Sequence, residues 1–437
     1  MFERELTRRI FLRGSAMVMA GMGTAPMWLA RAAAAEGKKR KTLVAIFQRG
    51  AADGLNIIAP FGDPRYRDLR PSVAITMPTR QNNINGPLNG GAIDLDGFFA
   101  MHGSLQPLQG LWDQKQLAIV EATGSADSSR SHFDAQDYME SGTVSKTMGD
   151  GWLNRALAPA GEGTSPLRAV ALSNQVPRTL RGDREAIAVS NLQQFNMGNQ
   201  EAASILQSMY ASSPDPQLGR AGKDAFDAMK LIRSIPPNNP APVRNAVGGV
   251  VGGVVGGFAG PGNTPPPPQY QQGGNLGRNL QQLAGLIKAD AGVEAAFAEI
   301  DGWDHHGNEN QQMNTVLREF AQAIGAFCND MGDRMEDIAL VTMSEFGRTA
   351  QENGNAGTDH GHGSLMMVMG GSVQGGKVYG KWPGLEKEQL FEGRDLAVTT
   401  DYRAVLSELV RGHLGQKDLS AVFPGFQAGD PLGLLRS

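Results

Sequence analysis

The sequence predicts an α/β fold, a mostly parallel central sheet flanked by helices on both faces. Three observations predict it. Short, continuously apolar runs of strand length alternate with longer stretches of helical period. Ligand-type residues gather directly after or before those runs, at the edge where open α/β sheets form their sites. A chain of 437 residues with 41% hydrophobic content is also long enough to bury one large core.

The first predicted strand is Thr42–Phe47, approached by the solvated run Lys38-Lys39-Arg40-Lys41. It is apolar at nearly every position, as a strand covered on both faces must be. Leu117–Val120, Ala169–Leu172, Ile338–Met343 and Leu365–Met369 read the same way. Helical periods span Ser131–Ser141, Ala221–Ile235, Leu276–Phe297, Glu309–Met331 and Tyr402–Leu414. The one cysteine, Cys328, falls in step with Phe320, Ile324 and Phe327 and reads as core. A single cysteine forms no intramolecular disulfide and excludes zinc-finger, iron–sulfur and CxxC redox chemistry.

From Ala246 to Asn275 the composition changes to Val-Val-Gly-Gly units, then Pro265–Pro268, then glutamines. Such a stretch reads as a flexible segment with no packed core, and no GK[ST] follows to make it a phosphate loop. Residues 191–275 as a whole are expected to leave the sheet domain as an insertion, within a domain running from 36 to 437.

The N-terminus carries Thr7-Arg8-Arg9-Ile10-Phe11-Leu12-Arg13, an apolar run rich in Gly, Ala and Met, and then Ala33-Ala34-Ala35. Paired arginines, a short apolar region and small residues at a cleavage site read as a twin-arginine signal peptide over residues 1–35. The expectation is export to the periplasm or beyond by the twin-arginine machinery, with no membrane association after the signal is removed. Those 35 residues hold five Arg against two Glu, so the remainder is more acidic than the full-length net charge of −4. An acidic body argues against nucleic acid as a partner.

Four polar clusters carry the chemistry. Arg49-Gly50-Ala51-Ala52-Asp53 follows the first strand, and Asp53 among small residues can approach a cation closely. Ser128-Ser129-Arg130-Ser131-His132 opens a helix, where a hydroxyl at the positive helix end is a candidate nucleophile. Asp301-Gly302-Trp303-Asp304-His305-His306 crowds carboxylates and imidazoles into one loop. Ser344-Glu345-Phe346-Gly347-Arg348 leaves one strand, and Asp359-His360-Gly361-His362 enters the next. His102 and His413 read as structural. The ligand types are Asp, Glu and His without Cys, which suits Zn²⁺, Mn²⁺, Mg²⁺ or Ca²⁺, as one ion or two. Arg348 is a candidate for holding a non-bridging oxygen of a phosphate or sulfate.

These stretches, with Ser131-His132-Phe133-Asp134-Ala135-Gln136-Asp137 and Gly151-Trp152-Leu153-Asn154, resemble an exported bacterial family labelled domain of unknown function 1501. That family is in turn similar to the alkaline phosphatase and sulfatase superfamily. The resemblance implies an alkaline-phosphatase-like sheet. It implies metal ligands at Asp53, Asp301 and His305, with Ser131 as nucleophile and Ser128 and Ser129 as rivals. Arg130 and Arg348 are then expected at the substrate. The ending departs from the superfamily order: Glu345 stands where an Asp-His pair is usual. Either Glu345 replaces that Asp and His360 or His362 is the final histidine, or Asp359-His360 keeps its role with His362 last. The function implied is an exported metal-dependent hydrolase of small-molecule or glycan phosphate or sulfate esters. The alternative is a non-catalytic envelope protein that binds glycan or another anionic polymer.

Overall fold

The computed structural model describes residues 40–77, 91–144, 146, 148–161, 164–192, 194–195, 200–234 and 269–436. The proposed signal at 1–35 and most of the Gly/Pro-rich stretch lie outside them.

The strands, in chain order, are β1 (Thr42–Gln48), β2 (Ile58–Ala59), β3 (Ile93–Asp94), β4 (Ala100–Met101), β5 (Leu117–Gly124), β6 (Ala169–Ala171), β7 (Ile187–Ala188), β8 (Ala295–Ile300), β9 (Ile338–Met343), β10 (Ser364–Gly370), β11 (Lys377–Tyr379) and β12 (Thr400–Asp401). Nine of them form the central sheet in the order β11-β5-β10-β9-β1-β8-β6-β7, with β12 also on β5. Only β10 runs against its neighbours; every other pairing in that sheet is parallel. β2, β4 and β3 make a small antiparallel sheet beside it.

Alternate side chains of β1 sort onto the two faces, as the strand period requires. Val44 and Ile46 join Leu280, Leu283, Phe320, Ile324 and Phe327 of helices Gly274–Lys288 and Glu309–Met331. Leu43, Ala45 and Phe47 join Trp152, Tyr402, Val405 and Leu409 on the other face. Cys328 is buried in the first of these cores. Among the described residues no helix is long and apolar enough to cross a membrane.

Two boundaries differ from the sequence expectation. The helical period read through Phe297 stops at Lys288, and Ala295–Ile300 is a strand between β1 and β6. Ala-Ala-Phe-Ala-Glu-Ile has helical propensity, but burial between two parallel strands overrides it. Asp290 and Gly292, both at positive φ, break the helix before it. The second concerns the Gly/Pro-rich stretch, whose end was placed at Asn275. The described chain resumes at Gln269, and Tyr270 is buried with its hydroxyl donating to Asp330 at 2.9 Å. Residues 270–275 therefore form a turn and the start of helix Gly274–Lys288.

One consequence of the topology positions the site. β1, β5, β8 and β9 end at one sheet edge, and β10, being antiparallel, begins there. The segments after four strands and the segment before the fifth therefore meet.

Candidate metal centre

Helix His132–Ser141 starts at that edge, with Ser131 as its extended N-cap residue. His132 Nδ1 lies 2.8 Å from Glu345 Oε1, just past β9. The same oxygen accepts the Gly50 N–H and Gln136 Nε2, each at 2.9 Å, while Oε2 accepts the Ser344 hydroxyl at 2.9 Å. Gly50, at φ 118°, is needed here: a Cβ would sit 2.7 Å from Asp304 N.

The loop after β8 contributes Asp304 and His306. Asp304 Oδ1 accepts Arg348 Nη1 at 2.6 Å and lies 3.0 Å from His306 Nε2 and 3.1 Å from His360 Nε2. His306 Nδ1 is 2.9 Å from Asp359 Oδ1. His360 Nδ1 is 3.0 Å from the Arg130 carbonyl oxygen. The Nε2 atoms of His132 and His306 each lie 3.1 Å from His360 Nε2. His132, Asp304 and His360 form a His/Asp group of the kind that holds a metal ion.

The protonation pattern follows from the partners. A carbonyl oxygen only accepts, so His360 carries its proton on Nδ1. Glu345 is buried, which works against ionisation, yet the hydrogen bonds from His132, Gln136 and Gly50 hold its carboxyl below the usual range. The His306 hydrogen bond does the same for Asp359. His132 and His306 likewise face their carboxylates through Nδ1, and Nε2 of His132 and of His360 turn toward each other and toward Asp304. Burial lowers the pKa of His360, and the Glu345 hydrogen bond raises that of His132. Asp304 is exposed, and against a partial desolvation the hydrogen bond and charge of Arg348 pull it down to about 2.

Facing acceptors repel, and a cation or a further ring proton among them removes the repulsion. Nitrogen and oxygen ligands at about 2.0–2.2 Å from a divalent ion sit roughly 3.0–3.5 Å apart, close to the 3.1, 3.1 and 3.6 Å separations among His132, His360 and Asp304. Each ring is also held at its far nitrogen by a carboxylate or carbonyl, as metal-binding histidines are. The residues therefore fit a metal.

Of the residues singled out from sequence, the structure brings Glu345, Asp359, His360, Arg130 and Arg348 around this point. Arg348 is buried and is engaged by Asp304 and by Thr358. Arg130 pairs with Glu392 at 2.7 Å and Asp395 at 2.6 Å through its guanidinium. Ser131 is exposed and its hydroxyl makes no hydrogen bond among the described residues; its N–H donates to Ser129 Oγ at 3.2 Å. Asp53, Asp301, His305 and His362 do not bring ligand atoms to the cluster. Asp53 is buried against Arg70, which also donates to the carbonyls of Ala350 and Thr349. Asp301 is exposed. His305 is buried with neither ring nitrogen hydrogen-bonded, and burial lowers its pKa. His362 is buried against Phe391, ring centroids 4.4 Å apart. His102 and His413 are buried, the first capping Ser104 N and the second 3.0 Å from the Thr42 carbonyl.

Sequence reasoning did not select His132, Asp304 or His306. The signal for His132 was its place beside the candidate hydroxyl at a helix start. In the β8 loop the Asp-x3-His spacing favours Asp301 with His305. The loop instead alternates, with Trp303 and His305 turned inward and Asp304 and His306 turned out. A period of two, read from the apolar Trp303, would have separated the two sets.

A family model described as Protein of unknown function (DUF1501) matches residues 40–418. No curated protein matches the sequence. Among solved structures the chain is similar to two mutants of TAB5 alkaline phosphatase, in which a histidine is replaced by Glu or by Asp and Mg is bound in the M3 site. Their TM-scores are 0.28 and 0.27, at 11% and 12% identity, over 76% of this chain and 91% of theirs. A likeness of that size says nothing about chemistry.

Proposed function

Since the chain belongs to the DUF1501 family, whose members are described as proteins of unknown function, we propose its activity from the site itself: divalent-metal-dependent hydrolysis of phosphate or sulfate esters. The observation that carries the reading is the meeting of His132 Nε2 and His360 Nε2 with Asp304, each ring fixed at its other nitrogen. His132, His360 and Asp304 would hold the ion, with His306 beside them on Asp304. Two nitrogens and one oxygen suit Zn²⁺ or Mn²⁺ better than Mg²⁺ or Ca²⁺, which favour all-oxygen shells. One ion is expected, because Arg70 already neutralises the buried Asp53.

When bound, such an ion supplies a Lewis acid that favours an ionised nucleophile and stabilises charge on a leaving oxygen. The chain's own groups do the rest. Ser131 presents a free hydroxyl beside His132, at a helix end whose N–H groups favour an oxyanion. Arg348 keeps Asp304 ionised. Arg394, part-exposed beside the His360 carbonyl, offers a cationic edge to an anionic ester. We propose in addition that the chain is exported by the twin-arginine route, in keeping with Arg8-Arg9 and the alanine run.

The test is elemental analysis of the full chain purified without chelator, with turnover of p-nitrophenyl phosphate and p-nitrophenyl sulfate. The expected result is about one Zn²⁺ or Mn²⁺ per chain and release of p-nitrophenol. The double variant His306→Ala, His360→Ala should lose both, and Ser131→Ala should keep the metal and lose turnover. Metal-free wild type, or undiminished metal in the double variant, refutes the centre. Bound metal with no turnover of either ester refutes the hydrolase and leaves a binding protein.

A further inference from the structure

His360 is the hub of the cluster, since its Nε2 lies 3.1 Å from His132 Nε2, His306 Nε2 and Asp304 Oδ1 alike. Its aim is fixed at two other atoms. The ring Nδ1–H donates to the Arg130 carbonyl at 3.0 Å. The backbone carbonyl of His360 accepts from Arg394 Nη2. Both arginines are in turn held by one side chain. Asp395 Oδ2 accepts Arg130 Nε at 3.1 Å and Nη2 at 2.6 Å, and Oδ1 accepts Arg394 Nε at 2.7 Å. Asp395 is wholly buried, 35 positions along the chain from His360, and its side-chain hydrogen bonds go to the two arginines.

We propose that Asp395 is a positioning residue for the metal centre, setting the ring direction and tautomer of His360 through Arg130 and Arg394. The proposal rests on the metal reading of the site. A buried carboxylate binding two guanidiniums is rigid, because moving either one strips charge-assisted hydrogen bonds from an anion that water cannot reach. Arg130 is thereby kept where its carbonyl forces the proton onto Nδ1. Arg394 is kept where it fixes the main chain of His360. No other described side chain contacts the guanidinium groups of both residues.

The experiment measures Zn²⁺ affinity of the full chain by competition with a chromophoric chelator, and the visible spectrum of the Co²⁺-loaded protein. Asp395→Asn keeps the volume and removes the charge. It should raise the Zn²⁺ Kd about 10–100-fold and change the Co²⁺ band pattern, as loss of an outer hydrogen bond to a metal ligand does. Arg394→Gln, a change at a part-exposed side chain, is the second variant and should move both readouts in the same direction even if Asp395→Asn folds poorly. A purely structural Asp395 would lower the melting temperature of the metal-free protein while leaving Kd and spectrum at wild-type values, and that result overturns the proposal. Wild type that binds neither Zn²⁺ nor Co²⁺ would instead refute the metal reading on which it rests.

Discussion

Glu345→Gln removes one charge and almost no volume from the centre. In the native site Oε1 accepts three donors, Gly50 N and Gln136 Nε2 at 2.9 Å and His132 Nδ1 at 2.8 Å. The amide oxygen of Gln can still face all three. Its NH₂ then meets Ser344 Oγ, whose one proton turns from the carboxylate to the Gln48 carbonyl at 2.8 Å and leaves a lone pair facing the amide. The fold should therefore survive. The bond to His132 changes from charge-assisted to neutral, roughly halving its strength. Loss of that kind behind a metal-binding histidine lowers affinity about 10–100-fold, or about 1.4–2.7 kcal/mol. With Zn²⁺ in fixed excess, metal-dependent stabilisation falls by the same amount. At about 2 cal/mol/K of unfolding entropy per residue, the melting temperature drops by roughly 2–3 °C. The assay is thermal unfolding with Zn²⁺ and with EDTA, paired with a chelator competition. In EDTA a smaller gap should remain, from the weakened hydrogen bonds to Gly50, Gln136 and His132. A Kd within twofold of wild type refutes the reasoning, as does an equal melting gap in EDTA.

Glu121 on β5 is buried with neither carboxyl oxygen hydrogen-bonded, and burial pushes its pKa well above the usual range. The unfolded chain ionises this group near pH ~4.3 while the folded chain stays protonated. Stability should therefore fall as pH rises above that point, by about 1.4 kcal/mol per pH unit until the folded group titrates. Glu121→Gln should raise the denaturation midpoint at pH 8 and little at pH 4.5; equal gains at both would reject the account. Deleting residues 248–268 should leave unfolding cooperative, because their composition supports no packed core, whereas Tyr270→Ala should cost about 3 kcal/mol in chemical denaturation. A comparable loss from the deletion would reverse that assignment. Replacing Arg8 and Arg9 by Lys should trap the chain inside the cell, which fractionation checks; undiminished export would end the twin-arginine proposal.

The strands that face apolar surroundings on both sides were legible because burial leaves an unbroken run, as in Thr42–Gln48 and Ile338–Met343. β8 was not, since its alanines fit a helix as readily as a strand and only its neighbours decide. The direction of β10 was equally hidden: Ser364–Gly370 is as apolar as a parallel strand. The sheet edge could be located from the polar clusters, but the choice of ligands could not. Which of Asp301, Asp304, His305 and His306 faces the site depends on one inward turn at Trp303, whose indole donates to the Ile300 carbonyl at 3.1 Å. Asp53 reads as a ligand from sequence because nothing there links it to Arg70, the partner it has in the fold.

The reversal of β10 has an effect on how the site can change over time. A parallel pair would need a crossover to carry the chain to the opposite edge, where β9 began. Here the peptide leaving β9 comes straight back to the same edge, and its ends are tied by the Arg348–His360 bridge. That single uninterrupted stretch carries Glu345, Arg348, Asp359 and His360 together. Its carbonyls at Asn355 and Ala356 also accept the N–H groups of Asn308 and Glu309, so a change in its length alters the ligands, their supports and the start of helix Glu309–Met331 at once.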